Sequence, residues 1–234
     1  MAKSELKIKP IENAERLYVR VARRIADLVE SGQVQPGEKL PSERDLAEML
    51  EVSRPTVREA MIALEVSGLI EIRTGSGIYV QKRRTKPVLA DGGMGPFEIL
   101  EMRMLLEPEA AALAAQRITD EQVAELGAVL ADMKESDHTP SVEEHDRRFH
   151  TLIARATENG AIEATVEWLW QLREGAQLNQ VFHQRILEEG IFPVLDQHTA
   201  IFEAIRERDA ERARAATRSH LEASIAAAAA VFSV

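Results

Sequence analysis

The stretch Glu38–Gln81, EKLPSERDLAEMLEVSRPTVREAMIALEVSGLIEIRTGSGIYVQ, decides how the N-terminal third of the chain folds. Ser42 is placed to cap a helix over residues 43–50, whose apolar positions 46, 47, 49 and 50 mark one face. Glu51-Val52-Ser53 then reads as a short turn, with Ser53 capping a second helix and Pro55 in its first turn, where a missing N–H costs little. That helix runs through Val57, Ala60, Met61 and Leu64 at helical spacing and ends near Ser67-Gly68. Two strand-like runs follow, Leu69–Arg73 and Ile78–Val80, joined by Thr74-Gly75-Ser76-Gly77. Helix, turn, helix and hairpin in this order is the plan of a winged helix-turn-helix, and its polar side carries Arg44, Arg54, Thr56 and Arg58. The expectation is a DNA reader.

Working outward, Leu17, Val21, Ile25, Leu28 and Val29 predict an amphipathic helix over 12–31, closed by Gly32 and Pro36-Gly37, with Tyr18 in a small core. Residues 1–11 read as a polar tail. On the other side, the basic run Gln81–Pro87 and the glycine-rich Ala90–Pro96 predict a linker over 82–95. The expected domains are therefore 12–81 and 96–232.

The net charge of −10 divides unevenly. Residues 1–86 carry 16 Lys and Arg against 13 Asp and Glu, and residues 87–234 carry 13 against 26. A net +3 followed by a net −13 leaves only the first part suited to phosphate. The chain has no cysteine, which excludes disulfides and thiolate metal sites and fits a reducing cytoplasm. No apolar run reaches the roughly 20 residues that span a bilayer, and the N-terminus does not read as a signal peptide.

Leu17-Tyr18 followed by the run from Pro36 to Val80 resembles the winged-helix domain of the GntR family of bacterial transcription regulators. The resemblance implies that Pro-Ser-Glu-Arg opens the helix before the recognition helix and that Ser-Arg-x-x-Val-Arg-Glu-Ala lies in the recognition helix itself. It further implies that Arg44, Ser53, Arg54, Thr56 and Arg58 contact double-stranded DNA, with Gly75 and Gly77 in a wing at the minor groove. An arginine can read guanine bidentately, and hydroxyls and further arginines hold phosphates.

From Phe97 onward every signal is helical. Phe97 to the alanine-rich 109–115 predicts one long helix, and Thr119-Asp-Glu-Gln122 is a capping box opening the next. A third helix is expected from Ser141, a fourth over Ala161–Gln180, and two more over 194–208 and 210–231. The fold class is mainly α: a winged helix-turn-helix followed by an antiparallel bundle of six or seven helices.

Within that bundle, Asp146 and His150 lie at i and i+4 on one helix face. His198 is in register with Ile201, Phe202 and Ile205, and His220 precedes Leu221 in the last helix. One carboxylate and three imidazoles suit a borderline divalent ion such as zinc, with nickel or manganese as alternatives. By spacing alone the same histidines could be ordinary core residues. His138, His145 and His183 read as surface or loop residues, and Trp168 and Trp170 as core or interface residues.

Asp-x-x-Phe-His, a histidine early in the penultimate helix and a histidine before leucine in the last helix are similar to the FCD domain of the FadR subfamily. That resemblance implies a metal held by Asp146, His150, His198 and His220, with Arg103 and Asn159 facing an effector. Gly95–Leu100, Leu64–Ile70 and Trp168-x-Trp170 look most like the regulators that respond to hexuronates. The implied protein is a homodimeric repressor released from operator DNA by a small carboxylate, such as a hexuronate. Two alternatives stay open: a metalloenzyme with an accessory DNA-binding domain, and a DNA-binding protein whose metal is purely structural.

Overall fold

The computed structural model describes residues 15–73, 75–81, 93–136, 139 and 141–232. The first element, α1 (Leu17–Glu30), buries Val21 and Ile25 of the expected stripe together with Tyr18 and Ala22, while Leu17 is exposed and Leu28 and Val29 are half-buried. It is followed by α2 (Glu43–Leu50) and α3 (Arg54–Val66). Ser42 and Ser53 cap these two helices, accepting from Asp45 N and Thr56 N, both at 3.3 Å. Between them Glu51 takes φ 55°, a left-handed residue that turns the chain sharply. The hairpin is β1 (Ile70–Arg73) and β2 (Gly77–Val80), antiparallel, with Ile72 opposite Ile78. The predicted winged helix-turn-helix is thus present, with α1 packed on α3.

The second part consists of α4 (Pro96–Arg117), α5 (Asp120–Glu135), α6 (Val142–Ala156), α7 (Gly160–Gly175), α8 (Gln177–Glu188), α9 (Leu195–Arg206) and α10 (Ala210–Val231). Among the described residues these are the only regular elements of this part. The capping box at Thr119 forms in both directions, at 3.0 and 3.2 Å. Alanines at 111, 114 and 115 are fully buried, and they let α4 lie centrally against α6, α7, α9 and α10. The expected single helix over Ala161–Gln180 is instead two. Gly175 ends α7, and the extended Ala176 (φ −101°, ψ 140°) redirects the chain into α8. The linker residues 82–92, residues 1–14, Thr74 and His138 lie outside the described residues.

The two parts share a core. Phe97 of α4, Leu178 and Phe182 of α8 and Phe232 join the apolar cluster built around α1, α3 and the hairpin. Phe182 meets Phe97 edge-on at 5.5 Å and stacks on Phe232 at 5.0 Å. Tyr18 Oη donates to the Gly93 carbonyl at 3.0 Å.

The N-terminus of α4 has no side-chain cap of its own, since Gly95 occupies the capping position. Glu59 of α3 fills that role across the junction, accepting from Glu98 N at 2.9 Å. A Cβ on residue 95 would stand 2.3 Å from the Glu59 carboxylate, so glycine is what permits the approach. Burial, opposed by the backbone donors and reinforced by Glu98, raises the Glu59 pKa to about 7. Because the folded value lies above the unfolded one, the associated stability is complete below about 4.5, declines as pH rises and is gone above about 7. Glu59→Gln should therefore keep the cap, and its melting temperature should lack the part of the wild-type decline between about pH 5 and 7.5. Parallel curves for the two proteins would count against this assignment.

Candidate metal and effector site

Asp146 and His150 project from the same face of α6, His198 from the first turn of α9 and His220 from the middle of α10. All four are buried, and one ligand atom from each lies within 4.8 Å of the others. His198 Nε2 is 2.8 Å and His150 Nε2 3.5 Å from Asp146 Oδ1. The other ring nitrogen of each histidine is already engaged. Nδ1 faces Glu107 Oε2 at 2.9 Å in His150, the Val194 carbonyl at 3.0 Å in His198 and Gln197 Oε1 at 2.9 Å in His220.

An acceptor beside every Nδ1 can hold the proton there, and in that tautomer each Nε2 offers its lone pair to an ion at the cluster, which is how metal-ligating histidines are oriented. His150 Nε2 is buried with no hydrogen-bond partner, an orphan that an ion would satisfy. These residues fit a divalent ion. Burial acts against a charged Asp146, yet the neighbouring His150 and His198 hold its carboxyl well below the ordinary value. Burial, with His198 and His150 nearby, keeps His220 neutral to well below its usual pKa. Both directions favour ligation.

Arg103, on α4, is also buried. Its Nε and Nη2 donate to Glu107 Oε1 and Oε2 at 2.7 and 3.2 Å, and its guanidinium lies 4.4 Å from the Trp170 ring centroid. Glu107 thus links Arg103 to His150, a role that spacing alone did not single out. Burial opposes its charge, but Arg103 and His150 hold its carboxyl well below the ordinary range.

A cavity of about 130 Å³ opens beside the cluster, lined by Leu100, Arg103, Asp146, Arg173, His183 and His220 among others. It adjoins a larger one of about 550 Å³ that shares Glu143, Arg173 and His183 with it. Arg173, on α7, stacks on Trp170 at 4.2 Å, donates through Nε to His183 Nε2 at 2.9 Å and lies 3.8 Å from Asp146 Oδ2. Burial, then repulsion from Arg103, lowers its pKa to about 10. Burial and Arg173 likewise keep His183 neutral to well below its usual value.

Three expectations need correction. His183 is a half-buried cavity residue of α8 rather than a surface residue. Its spacing from Leu178, Phe182 and Ile186 on the buried stripe would have revealed it. Asn159 does not line the cavity; it is exposed and caps α7, accepting from Ala161 N and Ile162 N. Arg58 is not on the outer face of α3. Its side chain is 9% exposed and pairs bidentately with Glu43 of α2, at 3.0 and 2.7 Å, while lying over the Phe97 ring. The remaining expected DNA residues do reach the surface: Arg44, Ser53 and Arg54 are exposed and Thr56 is half-buried. Gly75 and Gly77 take φ 70° and 140° at the wing tip, where a Cβ on Gly77 would stand 2.2 Å from Lys39 Cε. Of the tryptophans, Trp170 is in the site and Trp168 is 43% exposed.

Residues 17–80 match the profile described as bacterial regulatory proteins, gntR family, and residues 98–223 match the FCD domain. The chain belongs to the GntR family. Its FCD domain places it with the FadR-like regulators. It is 36% identical over 227 residues to the Uxu operon transcriptional regulator of Escherichia coli (strain K12), covering 92% of this chain and 88% of the relative. It is 35% identical over 218 residues to the Exu regulon transcriptional regulator of the same strain, covering 91% and 84%. A GntR-family transcriptional regulator from Pseudomonas syringae pv. tomato str. DC3000 shares the fold, with TM-score 0.50, 20% identity, and coverage of 90% of this chain and 84% of that one. This GntR-family chain is a transcription regulator with an effector-binding domain, and the metalloenzyme alternative falls with that finding. No helix among its described residues is long and apolar enough to cross a membrane.

Proposed function

We propose that this regulator is a homodimeric repressor whose grip on palindromic operator DNA is released by a hexuronate or related small carboxylate bound beside a divalent ion, most simply zinc. The observation that carries this reading is the meeting of the four-residue ligand set with the buried Arg103 and the half-buried Arg173 at one cavity. Around it Arg103 and Arg173 face Glu107, Glu143 and Asp146, an excess of one negative charge. A divalent ion turns that excess into one positive charge, which a single carboxylate cancels. Asp146 and His220 both line the cavity, so a ligand could reach the ion, and this favours effector contact over a purely structural metal. The hexuronate pathways of the Uxu and Exu relatives give the polyhydroxylated acid as the class to test first.

Asp146, His150, His198 and His220 would hold the ion, which would supply a Lewis-acidic anchor for the carboxylate. Arg173 and Arg103 would orient the ligand and balance its charge. At the other end, Arg54 and Thr56 would enter the major groove, with Ser53, Arg44 and the wing at Gly75 and Gly77 positioning the head on phosphates. For the dimer, Met102 and Leu105 on α4 and Trp168 on the adjacent α7 are exposed apolar residues suited to a second copy.

His198→Ala should lose bound metal, read by elemental analysis, together with hexuronate binding, read by calorimetry. Metal content equal to wild type would exclude this ligand set. Lost metal with unchanged hexuronate binding would leave the ion structural.

A further inference from the structure

Two walls of the cavity also hold the recognition helix. Helix α8 turns Phe182, His183 and Ile186 toward the cavity. From the same helix Arg185 reaches the DNA-binding head. Its Nη1 pairs with Glu65 Oε2 of α3, and its Nη2 donates to the Ile72 carbonyl of β1 at 3.2 Å. Glu65 Oε1 in turn accepts from Ile72 N at 2.7 Å, so one side chain ties recognition helix, wing strand and α8 together. Helix α4 is the second wall, contributing Leu100 and Arg103. Its N-terminus is the one capped by Glu59 of α3.

We propose that Arg185–Glu65 and Glu59–α4 form a two-point clamp through which cavity occupancy is read out as a change in the position of α3 and the wing. The proposal rests on the effector reading above and names how that site is coupled to DNA. A ligand wedged between α4 and α8 would alter their spacing, and α3 cannot keep both attachments if that spacing changes. Glu65 sits in the C-terminal half of α3 and Glu59 about one and two-thirds turns before it, so unequal movement of the attachments would rotate the helix rather than shift it bodily. The clamp is partly buried: the side chains of Arg185 and Glu65 are 22% and 20% exposed, and Glu59 is 2% exposed. Loss of the Arg185–Glu65 contact leaves a partly desolvated charge, and loss of the Glu59 contact leaves the Glu98 N–H without its acceptor, which makes the junction prefer discrete arrangements. Binding at the cavity acts only through its difference in affinity for those arrangements, and such coupling is typically roughly 5- to 150-fold.

The test uses the full-length, metal-loaded protein with Arg185→Ala and Glu65→Gln, the second of which keeps an acceptor for Ile72 N. Glucuronate, galacturonate and fructuronate are the probes. Calorimetry reads their binding, fluorescence anisotropy reads DNA affinity with and without them, and hydrogen exchange reads α3 and β1 in their absence. Both variants should bind the active uronate within about twofold of wild type, while the change in DNA affinity it causes shrinks from at least about fivefold to under about twofold. Amides in α3 and β1 should exchange faster in Arg185→Ala than in wild type. An undiminished response in both variants, or unchanged exchange, would overturn the clamp. If wild type binds none of the three acids, the hexuronate reading fails separately and exchange alone decides the clamp. Should Arg185→Ala not fold, Glu65→Gln carries the same comparison.

Discussion

Glu107→Ala should be among the most damaging single changes in the effector domain, and it should damage two properties at once. Arg103 and Glu107 form a bidentate pair with both side chains about 5% exposed. Deleting the carboxylate leaves a buried guanidinium without its counter-charge, at a cost of about 3–5 kcal/mol. The same deletion removes the acceptor on His150 Nδ1, 2.9 Å away. That acceptor sets which nitrogen of His150 carries the proton, so metal affinity should fall by roughly 10- to 100-fold. Glu107→Gln keeps an oxygen for His150 but not the charge for Arg103, and should recover part of the metal affinity with little of the stability. Melting curves with and without chelator, alongside competition with a metal indicator, separate the two effects. An alanine variant that melts and binds metal like wild type would show that Glu107 serves neither group.

Arg58→Ala and Arg54→Ala should part company although the two arginines are only four residues apart on α3. Arg58 is locked between Glu43 and the Phe97 ring, so its loss strands a buried carboxylate at about 3–5 kcal/mol. The melting temperature should drop, and DNA binding should fail because the head no longer holds its shape. Arg54 is exposed at the start of α3, where truncation should change stability by no more than about 0.5 kcal/mol. Its effect should instead appear in operator discrimination, at about 1–3 kcal/mol if it reads a guanine. Melting curves of the two variants, read beside their binding to operator and to scrambled DNA, decide the matter. Equal melting temperatures would place Arg58 on the DNA face after all.

Much of this was legible because it is local. Ser42, Ser53 and Thr119 announced helix starts by their spacing to the donors they accept from. The hairpin was set by alternating apolar residues around Gly75 and Gly77. Helix register placed Asp146, His150, His198 and His220 inward but left the histidines readable as core residues, and the resemblance to the FCD domain is what grouped the four, which the fold brings together. Helix spacing could not reveal partners brought together by packing. Arg58 looked like a surface arginine because its partner Glu43 is 15 residues away on another helix. Asn159 read as a pocket residue by resemblance, but here it caps α7. The α7–α8 break was signalled by Gly175, yet the apolar pattern continued past it. Arg173 lies at i+3 from Trp170, a spacing that permits the stacking observed but does not demand it.

The most direct test of the whole account is the anisotropy of the metal-loaded protein on DNA from its own upstream region, titrated with glucuronate, galacturonate and fructuronate. The account predicts tight, salt-sensitive binding that one of these acids reverses, and a reversal that disappears when the metal is stripped. Binding to that DNA that none of the three acids disturbs, with metal or without, would contradict it.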